Sequence, residues 1–369
     1  MKQRVAIIGA VAIAMLLGAC ARPGASAGSL TAATQPTTAP GQPAAEVPLA
    51  SGTSAVPAGN TSGQASLQPL TKITLAMAFI PSVQFAPFYV AQENGYFKSA
   101  GLDVTFDYGM ETDLLKLVGM NQLQFMIGSG DEVILGRSQG VPVRYVFRWY
   151  RQFPVVLFAK ASEGIKTPKD LEGKTVGISA LSGADYVGWK ALSYAGGVDT
   201  SKVRLQVIGF TQAASVMQGR VDAAMDYAVD GPVQLRLAGQ PATVIPVSDY
   251  MDLPSNGIIT NDQTIRDHPQ WVAALVQATL HGLQDTLADP NAAFAACLRA
   301  VPEAGGAQTA VNRAIFDEAL KVWQGPPGTL GQSDSAAWAK AAAFMQQTGL
   351  VDQLVPASDL YTNQFVAGQ

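Results

Sequence analysis

The sequence predicts an α/β fold with two lobes, and three observations indicate it. Strand-like and helix-like segments alternate along residues 71–257, with polar and aromatic residues in the loops between them. The roughly 300 residues after residue 70 exceed the usual size of one domain. The almost fully apolar strand at 155–160 and the segment at 254–260 are placed to cross between lobes. We therefore expect lobe one at 71–160 and 258–369, and lobe two at 161–257.

Residues 1–20 have the features of a lipoprotein leader. Basic residues precede an apolar stretch at 5–18, which is shorter than the ~20 residues that a membrane-spanning helix needs. Gly18 and Ala19 come directly before Cys20, which we expect to be acylated and to become the mature N-terminus. An ordinary secretory leader with an unrelated cysteine is the alternative. Two or three acyl chains would anchor the chain stably to the outer face of a cell membrane.

Residues 21–70 are expected to form a flexible tether, because they are dense in Ala, Gly, Pro, Ser, Thr and Gln. The net charge of −4 and the lack of basic runs argue against nucleic acid as a partner. Apart from Cys20, the sequence contains only Cys297, which lies in an apolar helical run and is expected to be buried. His281 and Asp285 share a helix face without a readable third ligand, so we expect no metal site.

The stretch from Gln84 to Val104 predicts a strand-helix-strand unit. A strand at 73–78 leads into a loop with Phe85 and Tyr89, and the helical run that follows ends at Gly95. An alternating pattern then indicates a second strand. Open α/β sheets bind ligands at the carboxyl ends of such strands, which makes this loop a candidate for the ligand site.

A series of motifs in this sequence resembles those of a known family. The motifs are Tyr89-Val90-Ala91, Gly95-Tyr96-Phe97, Gly101-Leu102-Asp103-Val104, Gly128-Ser129-Gly130-Asp131, Gly140-Val141-Pro142-Val143, Leu171-Glu172-Gly173-Lys174-Thr175-Val176-Gly177 and Gln218-Gly219-Arg220-Val221-Asp222-Ala223-Ala224. In this order they resemble the binding proteins of ABC importers for thiamine pyrimidine precursors, riboflavin, sulfonates, taurine and nitrate. The resemblance covers roughly residue 72 to the C-terminus. It implies a two-lobed periplasmic-binding-protein fold of type II, with two hinge crossovers and a ligand enclosed by lobe closure.

We expect the ligand between the lobes, at strand ends that face the cleft. The candidate residues are Gln84, Phe85, Tyr89, Ser129, Asp131, Trp149 and Tyr150 from lobe one, Ser182, Asp185, Tyr186, Asp226 and Tyr227 from lobe two, and Asn256 near the second crossover. Some have a structural alternative. Phe85 also fits a core position, Tyr89 begins a helix and fits a buried one, and Ser182 and Asp185 also fit helix capping.

Trp149 and Tyr150 follow a strand beside the first crossover, and two adjacent large aromatics are not expected to point into one core. Arg148 and Arg151 flank them, and either reach a ligand or pair at the surface. Aromatic walls favour a planar heterocycle by stacking. Carboxylates such as Asp131 accept hydrogen bonds from amino or hydroxyl groups and repel sulfonate, nitrate or carboxylate. This combination favours riboflavin, with a formylaminopyrimidine as the alternative and anions less suited.

The resemblance implies a monomeric, extracytoplasmic lipoprotein that delivers its small-molecule ligand to an ABC permease and ATPase. A sensory lipoprotein without transport is a second hypothesis. An enzyme is a third, because eukaryotic relatives make the thiamine pyrimidine from pyridoxal phosphate and a histidine of their own chain. Those relatives carry a cysteine-rich motif and a cleft histidine, whereas His268 and His281 here lie in helical C-terminal segments. We therefore expect neither catalysis nor a cofactor.

Overall fold

The structure is a computed structural model, and it describes residues 69–326 and 328–366. The predicted leader at 1–20 with its Cys20, and nearly all of the predicted tether at 21–70, lie outside the described residues. Ten strands run through the described part: β1 (Thr71–Ala78), β2 (Leu102–Gly109), β3 (Phe125–Ser129), β4 (Val143–Arg148), β5 (Val155–Lys160), β6 (Thr175–Ile178), β7 (Arg204–Val207), β8 (Ala223–Tyr227), β9 (Ala242–Pro246) and β10 (Asn256–Asn261).

The strands form two five-stranded sheets with the same internal order. The first sheet runs β2-β1-β3-β10-β4, and the second runs β7-β6-β8-β5-β9. In the first, β1 pairs in parallel with β2 and β3, while β10 is antiparallel to β3 and β4. In the second, β6 pairs in parallel with β7 and β8, while β5 is antiparallel to β8 and β9. Each lobe therefore has one antiparallel strand, and the predicted α/β architecture with two lobes is confirmed.

The antiparallel strand of each sheet is the segment that has just crossed from the other lobe. β5 enters the second sheet directly after β4 of the first, so the chain crosses between residues 149 and 154. The expectation that 155–160 belongs to lobe one is therefore wrong, because its backbone pairs entirely within the second sheet. The return crossover ends earlier than expected, since β10 joins the first sheet from Asn256 rather than from residue 258.

Helices cover the faces of both sheets. The α-helices of the described residues are α1 (Ala86–Glu93), α2 (Tyr96–Ser99), α3 (Glu111–Gly119), α4 (Gly130–Ser138), α5 (Gly183–Ala195), α6 (Gln212–Met217), α7 (Gly231–Leu237), α8 (Asp262–Asp267), α9 (Pro269–Ala288), α10 (Pro290–Ala300), α11 (Thr309–Trp323), α12 (Ser335–Gln347) and α13 (Ala357–Leu360). Across the described ranges, none of them combines the length and the apolar character that a membrane span requires. Cys297 is buried in α10, as predicted.

Close backbone packing explains two glycines of the first lobe. A Cβ on Gly282 of α9 would lie 2.1 Å from the carbonyl oxygen of Pro87, so only glycine lets α9 approach α1 this closely. A Cβ on Gly257 of β10 would lie 1.9 Å from the carbonyl oxygen of Phe147 on β4. Both glycines therefore allow backbone segments of the first lobe to approach more closely than any side chain would permit.

Candidate ligand-binding site

A cavity lies between the lobes, at the carboxyl ends of β1, β6 and β8. It encloses about 770 Å³ of space outside the protein atoms, including its opening to solvent. This is within the range of pockets that hold small organic ligands. Nine of the sequence-predicted residues line it: Gln84, Phe85, Trp149, Tyr150, Ser182, Asp185, Asp226, Tyr227 and Asn256.

The two crossovers run side by side and position the aromatic wall. The backbone N–H groups of Trp149 and Tyr150 both donate to the carbonyl oxygen of Asn256, at 2.9 and 3.0 Å. The ring of Trp149 stacks between Phe85, with centroids 5.5 Å apart, and Trp323, with centroids 5.7 Å apart. Tyr150 packs edge-on against Trp149 at 4.7 Å.

Trp149 and Tyr150 are both buried in the hydrophobic core of the first lobe while also lining the cavity. The expectation that they would not share one core is therefore wrong. The crossover brings the core of the first lobe to the edge of the cavity, so these two side chains are core residues and cavity-lining residues at once. The indole Nε1 of Trp149 is buried without a hydrogen-bond acceptor in the described residues.

Amide and hydroxyl groups connect the lobes at the cavity floor. Tyr150 donates its hydroxyl proton to Gln84 Oε1 at 3.2 Å, and Gln84 Nε2 lies 3.5 Å from Asp230 Oδ2 in the second lobe. Tyr227 of the second lobe donates to Asn256 Oδ1 at 2.9 Å. These groups offer both donors and acceptors within a few ångströms of the aromatic wall.

Four carboxyl groups line the cavity, at Glu111, Asp185, Asp226 and Asp230. Burial raises the pKa of all four. For Asp185 the result is a pKa of about 6, because hydrogen bonds from Ser179 and Gln212 offset part of the burial. For Asp226 the nearby charges of Asp230 and Asp185 raise the pKa further. Three of the four carboxyl groups come from the second lobe and Glu111 comes from the first, and together they form an acidic wall of the cavity.

Four sequence-predicted residues do not line the cavity. Tyr89 is buried under the first sheet, with its hydroxyl 2.8 Å from that of Tyr108. Ser129 donates its hydroxyl proton to Glu111 at 2.7 Å. Asp131 is fully buried, with both carboxyl oxygens lacking a partner among the described residues, and Tyr186 packs against the apolar core of the second lobe. Tyr186 directly follows the cavity-lining Asp185, and the helical turn of about 100° per residue points its side chain elsewhere.

Sequence reasoning missed several residues of the cavity wall: Phe79, Met110, Glu111, Thr112, Ser179, Phe210, Gln212 and Asp230. Glu111 was missed because β2 runs to Gly109, three residues beyond the alternating pattern that predicted it. The start of the following helix, directly after a strand that ends at the cleft edge, is the signal that would have found it.

Arg148 and Arg151, for which a ligand contact was one option, bind the backbone instead. Arg148 Nε donates to the carbonyl oxygen of Tyr150 at 3.2 Å, and Arg151 donates to that of Thr329 at 2.7 Å. Neither side chain lines the cavity, and these contacts brace the crossover and the segment after α11.

The lobes touch at several further points around the cavity. Thr112 Oγ1 donates to Ser182 Oγ at 3.0 Å, and the backbone N–H of Gly183 donates to Glu132 Oε1 at 2.9 Å. Phe79 and Phe210 meet edge to face with ring centroids 4.9 Å apart. Each pair joins one lobe to the other, so the structure has a closed cleft.

A match to a model of a known protein family assigns this chain to that family. A family model described as NMT1/THI5 like matches residues 82–293, which include most of the cavity wall. The chain belongs to the NMT1/THI5-like family.

No group of three or more His, Cys, Asp or Glu side chains is arranged to hold a metal within the described residues.

Two relatives of this family member are binding proteins by name. The riboflavin-binding protein RibY of Chloroflexus aurantiacus is 37% identical over 374 residues, covering 100% of this chain and 99% of that protein. A formylaminopyrimidine-binding protein of Halalkalibacterium halodurans is 25% identical over 305 residues, covering 80% of this chain and 91% of that protein.

The fold also agrees with a solved structure. The alkanesulfonate-binding protein SsuA of Xanthomonas axonopodis pv. citri has a TM-score of 0.64 at 11% identity, covering 80% of this chain and 99% of that one. The chain therefore has the two-lobed fold of periplasmic binding proteins, and its relatives indicate a binding protein.

Proposed function

We propose that this protein is an extracytoplasmic solute-binding lipoprotein that binds riboflavin and delivers it to an ABC importer by lobe closure. The observation that carries the proposal is the cavity itself, in which a wall of stacked aromatic rings faces a wall of carboxyl groups. An isoalloxazine ring stacks on aromatic side chains, and the ribityl hydroxyls donate to carboxyl oxygens. The 37% identity to RibY over the full length supports the same ligand.

Closure is the step that would couple binding to delivery. The contacts from Thr112 to Ser182 and from Tyr227 to Asn256 join the two lobes around the cavity. A ligand that contacts both lobes favours the closed form over the open one, because only the closed form offers both walls. A permease that recognises the closed form would then receive loaded protein. We propose that the permease and its ATPase are the partners, and that the binding protein acts as a monomer.

A formylaminopyrimidine is the second candidate ligand, favoured by the 25% identity to a protein of that name. Its amino groups also suit Asp185 and Asp226. A sulfonate or nitrate is disfavoured, because the cavity wall within residues 69–326 and 328–366 contains four carboxyl groups and no Lys, Arg or His.

Titration with riboflavin tests the ligand directly. Flavin fluorescence should be quenched on addition of the purified protein, because the ring would lie in the cavity beside the aromatic wall that includes Trp149 and Tyr150. A parallel thermal-shift series with formylated and hydroxymethyl pyrimidines, thiamine, taurine and nitrate separates the alternatives. Ligand at a hundredfold excess over its Kd stabilises the folded state by about 2.7 kcal/mol. A shift with a pyrimidine alone would replace the ligand and keep the binding function, and a shift with the anions alone would contradict the proposed role of the acids.

Anchoring at Cys20 has its own test. The chain expressed with labelled palmitate should carry the label in the membrane fraction, and the Cys20→Ala variant should carry none. Equal labelling of both forms would contradict the lipoprotein assignment while leaving the ligand assignment untouched.

A further inference from the structure

The acidic wall of the cavity contains no compensating positive charge among the described residues. None of Glu111, Asp185, Asp226 and Asp230 forms an ion pair there. Their partners are neutral: Gln212 Nε2 donates to Asp185 at 3.2 Å, and Gln234 Nε2 donates to Asp230 at 2.6 Å. These hydrogen bonds orient the carboxyl groups, and no cation among the described residues of the cavity wall would offset the charge of a carboxyl group that ionises.

One of the helix N-termini that face the cavity, that of α5, is also occupied. Free backbone N–H groups at the start of a helix are a common binding site for phosphate. The N-terminus of α5 reaches the cavity at Gly183 and Ala184. Its first amide, that of Gly183, already donates to Glu132 Oε1 at 2.9 Å, and Glu111 Oε2 lies 3.4 Å from where a Cβ on Gly183 would be. Carboxyl groups of lobe one thus take the place that an anionic ligand would use.

A second potential anion site is filled in the same way. The backbone N–H of Ser129, just before α4, donates to Glu111, and so does the Ser129 hydroxyl at 2.7 Å. The amide of the next residue, Gly130, donates to the carbonyl oxygen of Ser255 at 3.1 Å. The arginines nearest the aromatic wall are directed at backbone carbonyls outside the cavity.

We infer that this cavity selects an uncharged heterocycle and rejects the phosphate ester of the same compound. The inference rests on the proposed function and adds its substrate class. A phosphate monoester carries a charge of about −1.5 to −2 at neutral pH. It would meet four carboxyl groups in a water-poor site, with the α5 amide it needs already donated to Glu132. Placing like charges together in this way is a direct means of discriminating between two ligands of the same shape.

The test compares riboflavin with riboflavin 5′-phosphate at pH 8, by quenching of flavin fluorescence with the purified protein. We expect the phosphate ester to bind at least about 100-fold more weakly, since like-charge contacts at an interface cost several kcal/mol. The Asp185→Asn and Glu111→Gln variants each remove a charge while keeping an acceptor oxygen, and each should narrow the ratio of the two dissociation constants by about tenfold.

The control variant is Asp249→Asn, which removes a charge from an exposed position of the same lobe outside the cavity. It should leave the ratio unchanged. A steric exclusion of the phosphate would leave the ratio unchanged in all three variants and would overturn the inference. Equal affinity for both flavins would also overturn it while leaving riboflavin binding intact. If neither flavin binds, the riboflavin assignment fails. The same comparison is then made between 4-amino-5-hydroxymethyl-2-methylpyrimidine and its phosphate ester. Equal affinity of the protein for these two compounds would refute the exclusion of phosphate by charge.

Discussion

Replacing Glu132 by glutamine should stabilise the protein at neutral pH. Glu132 is fully buried where the lobes meet, and its Oε1 accepts a hydrogen bond from the Gly183 N–H at 2.9 Å. Burial and the charge of Glu111 raise its pKa from 4.5 to about 8. The second oxygen, Oε2, has no partner among the described residues. The carboxyl group therefore fits its site best in the protonated form.

The direction of the pH dependence follows from the raised pKa. The stability that the protonated group contributes is fully present below pH 4.5 and is lost as the pH rises toward about 8. The interval from pH 4.5 to pH 7 corresponds to roughly 3 kcal/mol, at about 1.4 kcal/mol per pKa unit. Glutamine keeps the acceptor oxygen for Gly183 and does not titrate, so the Glu132→Gln variant escapes this loss.

Urea unfolding of both proteins between pH 4.5 and pH 8 measures the effect. The free energies of unfolding should nearly coincide at pH 4.5 and separate by about 3 kcal/mol in favour of the variant at pH 7. The exposed Glu303 serves as a control, since Glu303→Gln should give parallel curves. If Glu132→Gln is instead less stable at pH 7 to 8, Glu132 is ionised in the folded protein and holds Gly183 by its charge, which would refute the reasoning.

Three further changes test the aromatic wall, the contact between the lobes and the first sheet. Trp149→Ala should lower the free energy of unfolding, measured in urea, by about 3–5 kcal/mol, as truncations of large buried aromatic side chains do. The same variant should no longer quench flavin fluorescence. Unchanged quenching would show that Trp149 does not lie near the ligand. Tyr227→Phe removes the 2.9 Å hydrogen bond to Asn256. Titrations should show ligand affinity weakened by about threefold to tenfold, the effect of losing one hydrogen bond. An unchanged Kd would mean that this hydrogen bond does not contribute to closure of the lobes. Gly257→Ala forces a Cβ to 1.9 Å from the carbonyl oxygen of Phe147. It should lower the free energy of unfolding by more than about 4 kcal/mol or prevent folding, as measured by circular dichroism and urea unfolding. A stable variant would show that β10 and β4 can move apart.

The sequence could predict those parts of the site that sit where an apolar strand gives way to polar residues. Asp226 and Tyr227 end β8, and Trp149 and Tyr150 follow β4, so each was visible as a change in pattern. The two lobes were predictable from length and from the repeated alternation of strand and helix. The sequence did not show to which lobe each strand belongs, because an apolar run such as 155–160 fits either sheet equally well.

Other parts of the site depend on the direction in which a side chain points, which its position in the sequence does not reveal. Asp131 stands at a helix start after a buried strand, as a ligand-binding residue would, yet its side chain lies inside the protein. Glu111 at the start of α3 and Asp230 just before α7 come from opposite lobes and face the same cavity only after the lobes close. The rotation of a residue about its helix axis and the relative position of two lobes are set by tertiary packing, which a single sequence does not display.

The return of the chain to the first sheet as β10 has a consequence for how the chain folds. The first sheet lacks its strand between β3 and β4 until residues 256–261 arrive, after the whole second lobe has been placed. The pairing of Ile127 with Ile258 closes a long loop, so we expect it to form late and slowly, as contacts between residues far apart in sequence do. The second sheet, β5 to β9, comes from one continuous stretch of chain, whereas the first lobe cannot be cut from the gene as one continuous piece with its sheet complete. A nascent chain ending before residue 256 should therefore expose the edges of β3 and β4, and would need protection from aggregation until β10 closes the gap.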